Sequence, residues 1–72
     1  AAQERAIKKD IVRLERQMEK AAEKLLDLLQ EQESVPFNHA RLLEITAELE
    51  EVRVNQTQLE GEWLAATIAL EN

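Results

Sequence analysis

The stretch Ser34-Val35-Pro36-Phe37-Asn38 is the one place in this sequence where a helix is predicted to stop. Pro36 lacks a backbone N–H and disfavours the α-helical conformation of the preceding residue, Val35. Asn38 can cap a new helix, because its side chain accepts a hydrogen bond from a free backbone N–H of the first helical turn. Helix-forming sequence flanks the stretch on both sides. The sequence therefore predicts two long helices joined by a turn.

The composition supports a helical chain and limits its size. The 72 residues contain one Gly, one Pro and no Cys, and they are rich in Ala, Glu, Lys, Leu and Arg, which is typical of long helices. This length corresponds to a single small domain. The absence of Cys excludes a disulfide framework and a thiolate metal site.

Both flanking segments carry a heptad pattern. Apolar residues recur at alternating steps of four and three, which assigns them to positions a and d of a coiled coil. In the first arm these are Ile7, Ile11, Leu14, Met18, Ala21, Leu25 and Leu28; in the second they are Leu42, Ile45, Leu49, Val52, Gln56, Leu59, Trp63, Ala66 and Leu70. A short connection makes such helices antiparallel neighbours. We predict an all-α, two-helix antiparallel coiled-coil hairpin with arms at about 3–33 and 39–70 and a turn at 34–38.

Charge pairs favour one of two registers for the hairpin. The first places Leu28 opposite Leu42, and the second slides the arms by one heptad, so that Leu28 faces Leu49. The first gives one repulsive flanking pair, Asp10–Glu62, and four attractive ones: Lys8–Glu60, Glu15–Arg53, Lys24–Glu48 and Glu31–Arg41. The second opposes Glu15 to Glu60 and Glu31 to Glu48. Each exposed pair contributes only a few tenths of a kcal/mol, but together they favour the first register.

Two positions depart from the pattern. Gln56 is polar at a seam position, where it either fixes the register or extends its amide to solvent. Gly61 lies at the outer f position of the second arm and costs up to about 1 kcal/mol relative to Ala. It marks either a close approach or bend of the backbone, or a tolerated defect in the helix.

Little in the sequence indicates catalysis. His39 is the only histidine and Ser34 the only serine, and no Gly-rich phosphate loop or HExxH pattern occurs. The abundant carboxylates lie on heptad flanks, where no pocket would shift their pKa. We expect no catalytic, cofactor-binding or metal site in this chain. The sequence shows neither a signal peptide nor a membrane-spanning run, so a cytoplasmic setting is expected.

The net charge of −6 is distributed unevenly. Residues 1–24 hold seven of the nine Lys and Arg residues, whereas residues 25–72 hold ten of the fifteen acidic ones. Four cations form one outward row, here called the basic row: Lys9, Arg13, Arg16 and Lys20. Such a row suits contacts with successive phosphates of a nucleic acid, or it is solubilising charge balanced by neighbouring acids.

The outer face of the second arm is unexpectedly apolar. Aliphatic residues at b and f positions form what we call the outer stripe: Leu43, Val54, Leu64 and Ile68. Ala47 and Gly61 lie among them, and Val12 and Leu26 occupy similar positions on the first arm. A second stripe indicates a protein contact, either with another protein or with a copy of the chain; the alternative is scattered exposed aliphatics. At the turn, Val35 and Phe37 either project as a contact point or fold back over the seam.

Three stretches resemble the C-terminal coiled-coil domain of Uup-type ABC-F ATP-binding proteins. They are Leu14-Glu15-Arg16-Gln17-Met18-Glu19-Lys20, Arg41-Leu42-Leu43-Glu44-Ile45-Thr46-Ala47-Glu48-Leu49-Glu50 and Glu62-Trp63-Leu64. Their order also resembles that domain: a basic first helix, a short turn, and an EWL near the end of the second helix.

The resemblance implies a parent protein with two ATP-binding cassettes, outside this chain, and no membrane-spanning domain. ATP would bind to those cassettes. It further implies a cytoplasmic role on DNA or the ribosome, with nucleic-acid contact carried by Lys9, Arg13, Arg16 and Lys20. The alternative is a structural module that docks on the parent cassettes or self-associates through Leu43, Val54, Leu64 and Ile68. In neither case is the chain itself expected to be an enzyme.

Overall fold

The computed structural model describes all 72 residues and consists of two α-helices without strands. Helix α1 spans Ala2–Ser34 and helix α2 spans His39–Glu71, each with 33 residues. They form an elongated hairpin of 56 × 14 × 13 Å, which confirms the predicted all-α antiparallel architecture. The helices extend one residue beyond the predicted arms at both ends of α1 and at the end of α2. Neither contains a stretch apolar enough over sufficient length to cross a membrane.

The turn is closed by three hydrogen bonds. The Val35 N–H donates to the Glu31 carbonyl at 3.1 Å, and the Asn38 N–H donates to the Val35 carbonyl at 3.2 Å. Val35 has left the helical conformation, with φ −129° and ψ 52°, as its position before Pro36 predicts. Asn38 Oδ1 accepts from the Arg41 N–H at 3.1 Å, which confirms the predicted cap of α2.

The core is a thin seam between the helices. Seven residues are buried: Leu14, Ala21, Leu28, Ile45, Leu49, Val52 and Leu59. Six of these occupy position d, and only Leu49 occupies position a. The remaining seam residues are half-buried, among them Met18, Leu25, Trp63 and Ala66, which pack against the core. The heptad assignment is confirmed, but the d positions point more directly at the opposite helix than the a positions do.

The helix ends define the register. Ser34 and His39 flank a four-residue turn, and at the other end Ala1, Gln3, Ala69 and Asn72 line one surface hollow. Two helices of equal length that start and end together lie level, so Ser34 is beside His39 and Ala2 is beside Glu71. We infer from this that Leu28 lies level with Ile45, about midway between Leu42 and Leu49. The register thus falls between the two predicted alternatives, in which Leu28 faces either Leu42 or Leu49.

Only one of the four attractive interhelical ion pairs predicted from the sequence is formed. The Glu31–Arg41 pair is formed. Lys8 pairs instead with Glu4, one turn away on its own helix, at 3.3 Å. Lys24 lines a surface groove with Glu51 and Asn55, and the carboxylate of Glu48 lies against Arg41. The predicted Lys8–Glu60, Glu15–Arg53 and Lys24–Glu48 pairs are therefore wrong. Lys8 and Glu48 have other partners, and Glu15, Arg53 and Lys24 form no ion pair.

The two irregular positions are now defined. Gln56 is half-buried, and no polar atom of its amide is sealed from solvent, in agreement with an amide that extends outward. A Cβ atom added to Gly61 would meet nothing within 4 Å. Its φ is not positive, so neither a close approach nor an unusual backbone conformation requires glycine. Gly61 is a tolerated defect on the exposed face of α2.

Candidate functional site

The basic row lies on one exposed face of α1. Its four members, Lys9, Arg13, Arg16 and Lys20, line a single shallow surface hollow together with Lys8, Val12 and Gln17. At 1.5 Å per residue the row extends over about 16 Å of the helix axis. The structure therefore brings together all four cations that the sequence assigned to nucleic-acid contact, and it adds Lys8 at the edge of the same hollow.

Most of the row is free of ion pairs. Arg13 Nε lies 3.9 Å from Asp10 Oδ1, at the limit of an ion pair, and Lys8 Nζ lies 3.3 Å from Glu4 Oε1. Lys9, Arg16 and Lys20 form no ion pair within α1 or with α2. Pairing with an acidic neighbour on the same helix therefore explains Arg13, but not Lys9, Arg16 or Lys20. Three uncompensated cations on one straight face are available for an external anion.

A second charged cluster lies beside the turn. Arg41 Nε and Nη2 donate to the two carboxylate oxygens of Glu31 at 2.5 and 2.6 Å. Arg41 Nη1 also donates to Glu44 Oε2 at 2.9 Å and lies 3.2 Å from Glu48 Oε2. The hydrogen bonds from Arg41 lower the pKa of the Glu31 carboxyl. The pKa of the Arg41 guanidinium is raised, first by its hydrogen bonds to Glu31 and then by those to Glu44.

The geometry of this cluster indicates a structural role, because its contacts are made within the hairpin. Glu31 occupies the Nε and Nη2 edge of the Arg41 guanidinium, and Glu44 and Glu48 lie beside Nη1. Three carboxylates around one cation disfavour the approach of a phosphate. No group of three His, Asp or Glu side chains has the arrangement to hold a metal ion. Ser34 Oγ donates to the Glu31 carbonyl at 3.0 Å in the last turn of α1, while His39 is exposed in the first turn of α2.

The outer stripe is exposed along its whole length. Leu43 is 73% exposed, and Val54, Leu64 and Ile68 are each about half exposed. Leu43 and Leu64 occupy position b and Val54 and Ile68 position f, so they form two adjacent rows on α2. On α1 the exposed aliphatics are Val12 and Leu26, which the sequence indicated, and also Leu29. Leu29 was missed because it occupies position e, beside the seam, whereas the sequence pattern assigned only b and f positions to the outer face.

The two apolar side chains of the turn differ in burial. Val35 is half-buried and packs against the core, whereas Phe37 is 96% exposed at the tip. The two alternatives for this turn are thus both realised, one by each residue. Near the opposite end of the hairpin, Nε1 of the half-buried Trp63 is sealed from solvent and has no acceptor.

Comparisons with known proteins add no family to this description. No protein-family model matches the chain, and neither a curated protein nor a solved structure gives a significant match.

Proposed function

We propose that this chain is a non-catalytic coiled-coil hairpin of the ABC-F type that binds the phosphate backbone of nucleic acid through its basic row. The target is either DNA or the RNA of the ribosome. The observation that supports the proposal is the set of three cations without ion pairs, Lys9, Arg16 and Lys20, on the same face as Arg13. The resemblance in sequence supports the family, and in that family ATP binds to cassettes outside this hairpin.

The chemistry of the row suits electrostatic binding without base recognition. Each Lys or Arg that neutralises a phosphate releases a condensed counterion, which makes the affinity strongly dependent on salt. No aromatic residue lies in the hollow, so stacking on unpaired bases is not expected. The ten acidic residues after position 24 repel a polyanion. This repulsion would orient the hairpin with α1 towards the nucleic acid and α2 away from it.

The direct test is binding of the hairpin to a labelled DNA duplex and to purified ribosomes at low and high salt. Changing Arg16 and Lys20 to Glu is expected to weaken binding at least about tenfold. The matched control changes Lys24 and Arg53 to Glu, which alters the net charge equally outside the row. A much smaller effect is expected there. The two targets, assayed side by side, separate DNA from ribosomal RNA.

Two results would refute the nucleic-acid proposal. One is the absence of binding to either target at low salt. The other is unchanged affinity after Lys9, Arg13, Arg16 and Lys20 are all replaced by Glu. The family part of the proposal is tested separately, since it predicts a nucleotide-binding cassette N-terminal to this hairpin in the full-length protein.

The exposed outer stripe supports a second candidate function, protein contact. The stripe would dock the hairpin on parent cassettes or on a copy of itself, because half-exposed aliphatics in two adjacent rows favour burial against another surface. Changing Leu64 and Ile68 to Glu is expected to reduce the stability or activity of the parent protein. Ala65→Glu, on a neighbouring exposed face, is the control. A parent protein unaffected by the double change would contradict docking through this stripe.

A further inference from the structure

The outer stripe belongs to a complete second heptad pattern on α2. Positions b and f recur at alternating steps of four and three, as positions a and d do. The b and f residues of α2, here called the outer seam, are all exposed, and only two of the ten are charged: Ala40, Leu43, Ala47, Glu50, Val54, Thr57, Gly61, Leu64, Ile68 and Glu71. The ten b and f positions of α1 include six charged residues: Arg5, Lys9, Arg16, Glu19, Glu23 and Glu33.

The outer seam lies on the side of α2 that α1 does not cover. At 3.6 residues per turn, positions b and f point almost directly away from positions a and d. Helix α2 is therefore apolar on two nearly opposite sides, whereas α1 is apolar on one. A helix of this kind packs between two neighbours, and the hairpin supplies only one of them.

We infer that the outer seam binds the outer seam of a second copy, with the two α2 helices antiparallel about a two-fold axis beside Asn55 and Gln56. The inference rests on the second candidate function, protein contact through the outer stripe, and names its partner. In an antiparallel coiled coil the two kinds of seam position face each other. Between the copies the apolar facing pairs are Leu43–Ile68, Ala47–Leu64 and Val54–Thr57, each formed twice.

The two charged residues of the outer seam meet the smallest side chains of the second copy. Glu50 faces Gly61, which leaves room for the carboxylate to extend to solvent. No contact within the hairpin explains a glycine at this position. Arg53 lies one turn from Glu50 on the same edge of α2, so it can neutralise the carboxylate. Glu71 faces Ala40 at the end of the interface, where solvent reaches it.

The residues that flank the outer seam have complementary charges in this register. The flanking positions are c and e, and at e Arg53 faces Glu60 of the second copy twice. The other facing pairs contain no like charges: Thr46–Thr67, Glu51–Gln58 and Glu44–Ala65. Within the hairpin neither Arg53 nor Glu60 forms an ion pair, so both are free to pair between copies.

The other two-fold arrangements of this seam bring like charges together. Sliding the helices by one heptad in one direction makes Glu60 face Glu60. Sliding them in the other direction makes Arg53 face Arg53 and Glu51 face Glu51. The parallel dimer makes Glu50 face Glu50 inside the seam. Like charges in contact disfavour all three arrangements.

The same register gives the greatest overlap of the two helices. Its two-fold axis lies within one residue of the middle of α2, which spans His39–Glu71. The two α2 helices therefore pack along their whole length, whereas each slide removes one heptad of contact. Charge, side-chain size and helix length thus favour one arrangement of two copies.

Dimerisation leaves the basic row exposed, because α1 lies on the far side of α2 and the row faces away from the core. The partner named here and the candidate function on which it depends can fail separately. A monomeric chain, in a parent protein that still loses stability or activity when Leu64 and Ile68 are changed to Glu, would refute the second copy alone. A monomeric chain in a parent protein that tolerates both changes would refute both.

Sedimentation equilibrium of the 72-residue chain tests the dimer. A mass of twice 8.3 kDa is expected at micromolar concentrations. Val54→Glu should weaken association at least about tenfold, because it places two carboxylates at the centre of the interface. The matched control, Asn55→Glu, adds the same charge one residue away, beside Lys24, and should leave association unchanged. Circular dichroism verifies that both variants remain helical.

An exchange of charges tests the register. Arg53→Glu or Glu60→Arg alone should weaken association roughly threefold to tenfold, since two attractive pairs become two repulsive ones. The double variant should recover it, because each glutamate again faces an arginine of the second copy. The two positions are about 10 Å apart along one helix, so recovery reports on the interface and not on the hairpin. A double variant as weak as the single ones would contradict the register.

A label at the tip tests the orientation, because the chain contains no cysteine. Phe37→Cys carries one spin label per copy, outside the outer seam. In the proposed dimer the two labels lie about 55 Å apart, at opposite ends, and a slide by one heptad changes this by about 10 Å. Labels roughly 10–25 Å apart would show a parallel dimer, since packed helices lie 8–10 Å from each other. That result overturns the inference, as does a monomeric chain or equal weakening by Val54→Glu and Asn55→Glu.

Discussion

Glu31, one turn before Val35, and Arg41, in the first turn of α2, form a bidentate ion pair between the two helices. The two donor–acceptor distances are 2.5 and 2.6 Å, and the paired side chains are 38% and 29% exposed. Parallel hydrogen bonds of this kind fix geometry as well as charge. The pair therefore ties the end of α1 to the start of α2 beside the turn.

This pair predicts a loss of stability in acid. The pKa of Glu31 is lowered in the folded hairpin from its ordinary value of 4.5. The contribution of the pair is therefore fully present above that value and is lost as the pH falls through the lower, folded pKa. An NMR titration of the Glu31 carboxyl carbon is expected to show the lowered pKa, and Arg41→Gln should restore it. In Arg53→Gln, where the arginine has no ion pair, the Glu31 titration should not move; an equal response of both variants would contradict the assignment.

The cap of α2 predicts the effect of changing Asn38. Its side chain satisfies the Arg41 N–H, so Asn38→Ala should lower the free energy of unfolding by about 1 kcal/mol. Asn38→Asp keeps an acceptor and should retain most of the stability. Urea unfolding monitored by circular dichroism measures both. If Ala and Asp behave alike, the side-chain cap contributes nothing.

Gly61 predicts a stabilising substitution. Because an added Cβ meets no atom within 4 Å, Gly61→Ala should raise the free energy of unfolding by roughly 0.5–1 kcal/mol. Ala65→Gly, one turn further along the exposed face, should produce a loss of similar size. Thermal or urea unfolding of the two variants checks both signs. Destabilisation by Gly61→Ala would reveal a contact at this face, such as one made by a partner.

The sealed indole N–H of Trp63 predicts that a phenylalanine is tolerated. Trp63→Phe removes a buried donor that has no acceptor and keeps most of the ring. The free energy of unfolding should stay within about 1 kcal/mol of the original value. Trp63→Ala removes the packing against the core as well and should cost roughly 2 kcal/mol or more. A large loss in the Phe variant would show that the N–H has a partner in solution.

Much of the fold was predictable because its causes are local. Pro36 and Asn38 define where one helix ends and the next begins, through a missing donor and a side-chain cap. The alternation of steps of four and three identifies the seam, because residues with this spacing lie on one face of a helix. The basic row follows for the same reason: Lys9, Arg13, Arg16 and Lys20 share a face wherever the helix lies.

The register and most of the ion pairs were not predictable in this way. Surface cations on long side chains choose among several acids at little cost, so Lys8 pairs with Glu4 rather than with Glu60. The level of Leu28 beside Ile45 depends on the length of the turn and on the burial of d positions. Neither quantity is encoded in the heptad alone.

The amino-acid sequence by itself determined the two helices, the turn, the seam residues and the one-sided charge of α1, because helical periodicity and backbone chemistry act within a few residues. The tertiary structure alone decided how the helices are aligned and which cations remain unpaired. It also showed that Val35 packs inward while Phe37 projects. Those features depend on distances between residues far apart in the chain, which exist only once the two helices pack.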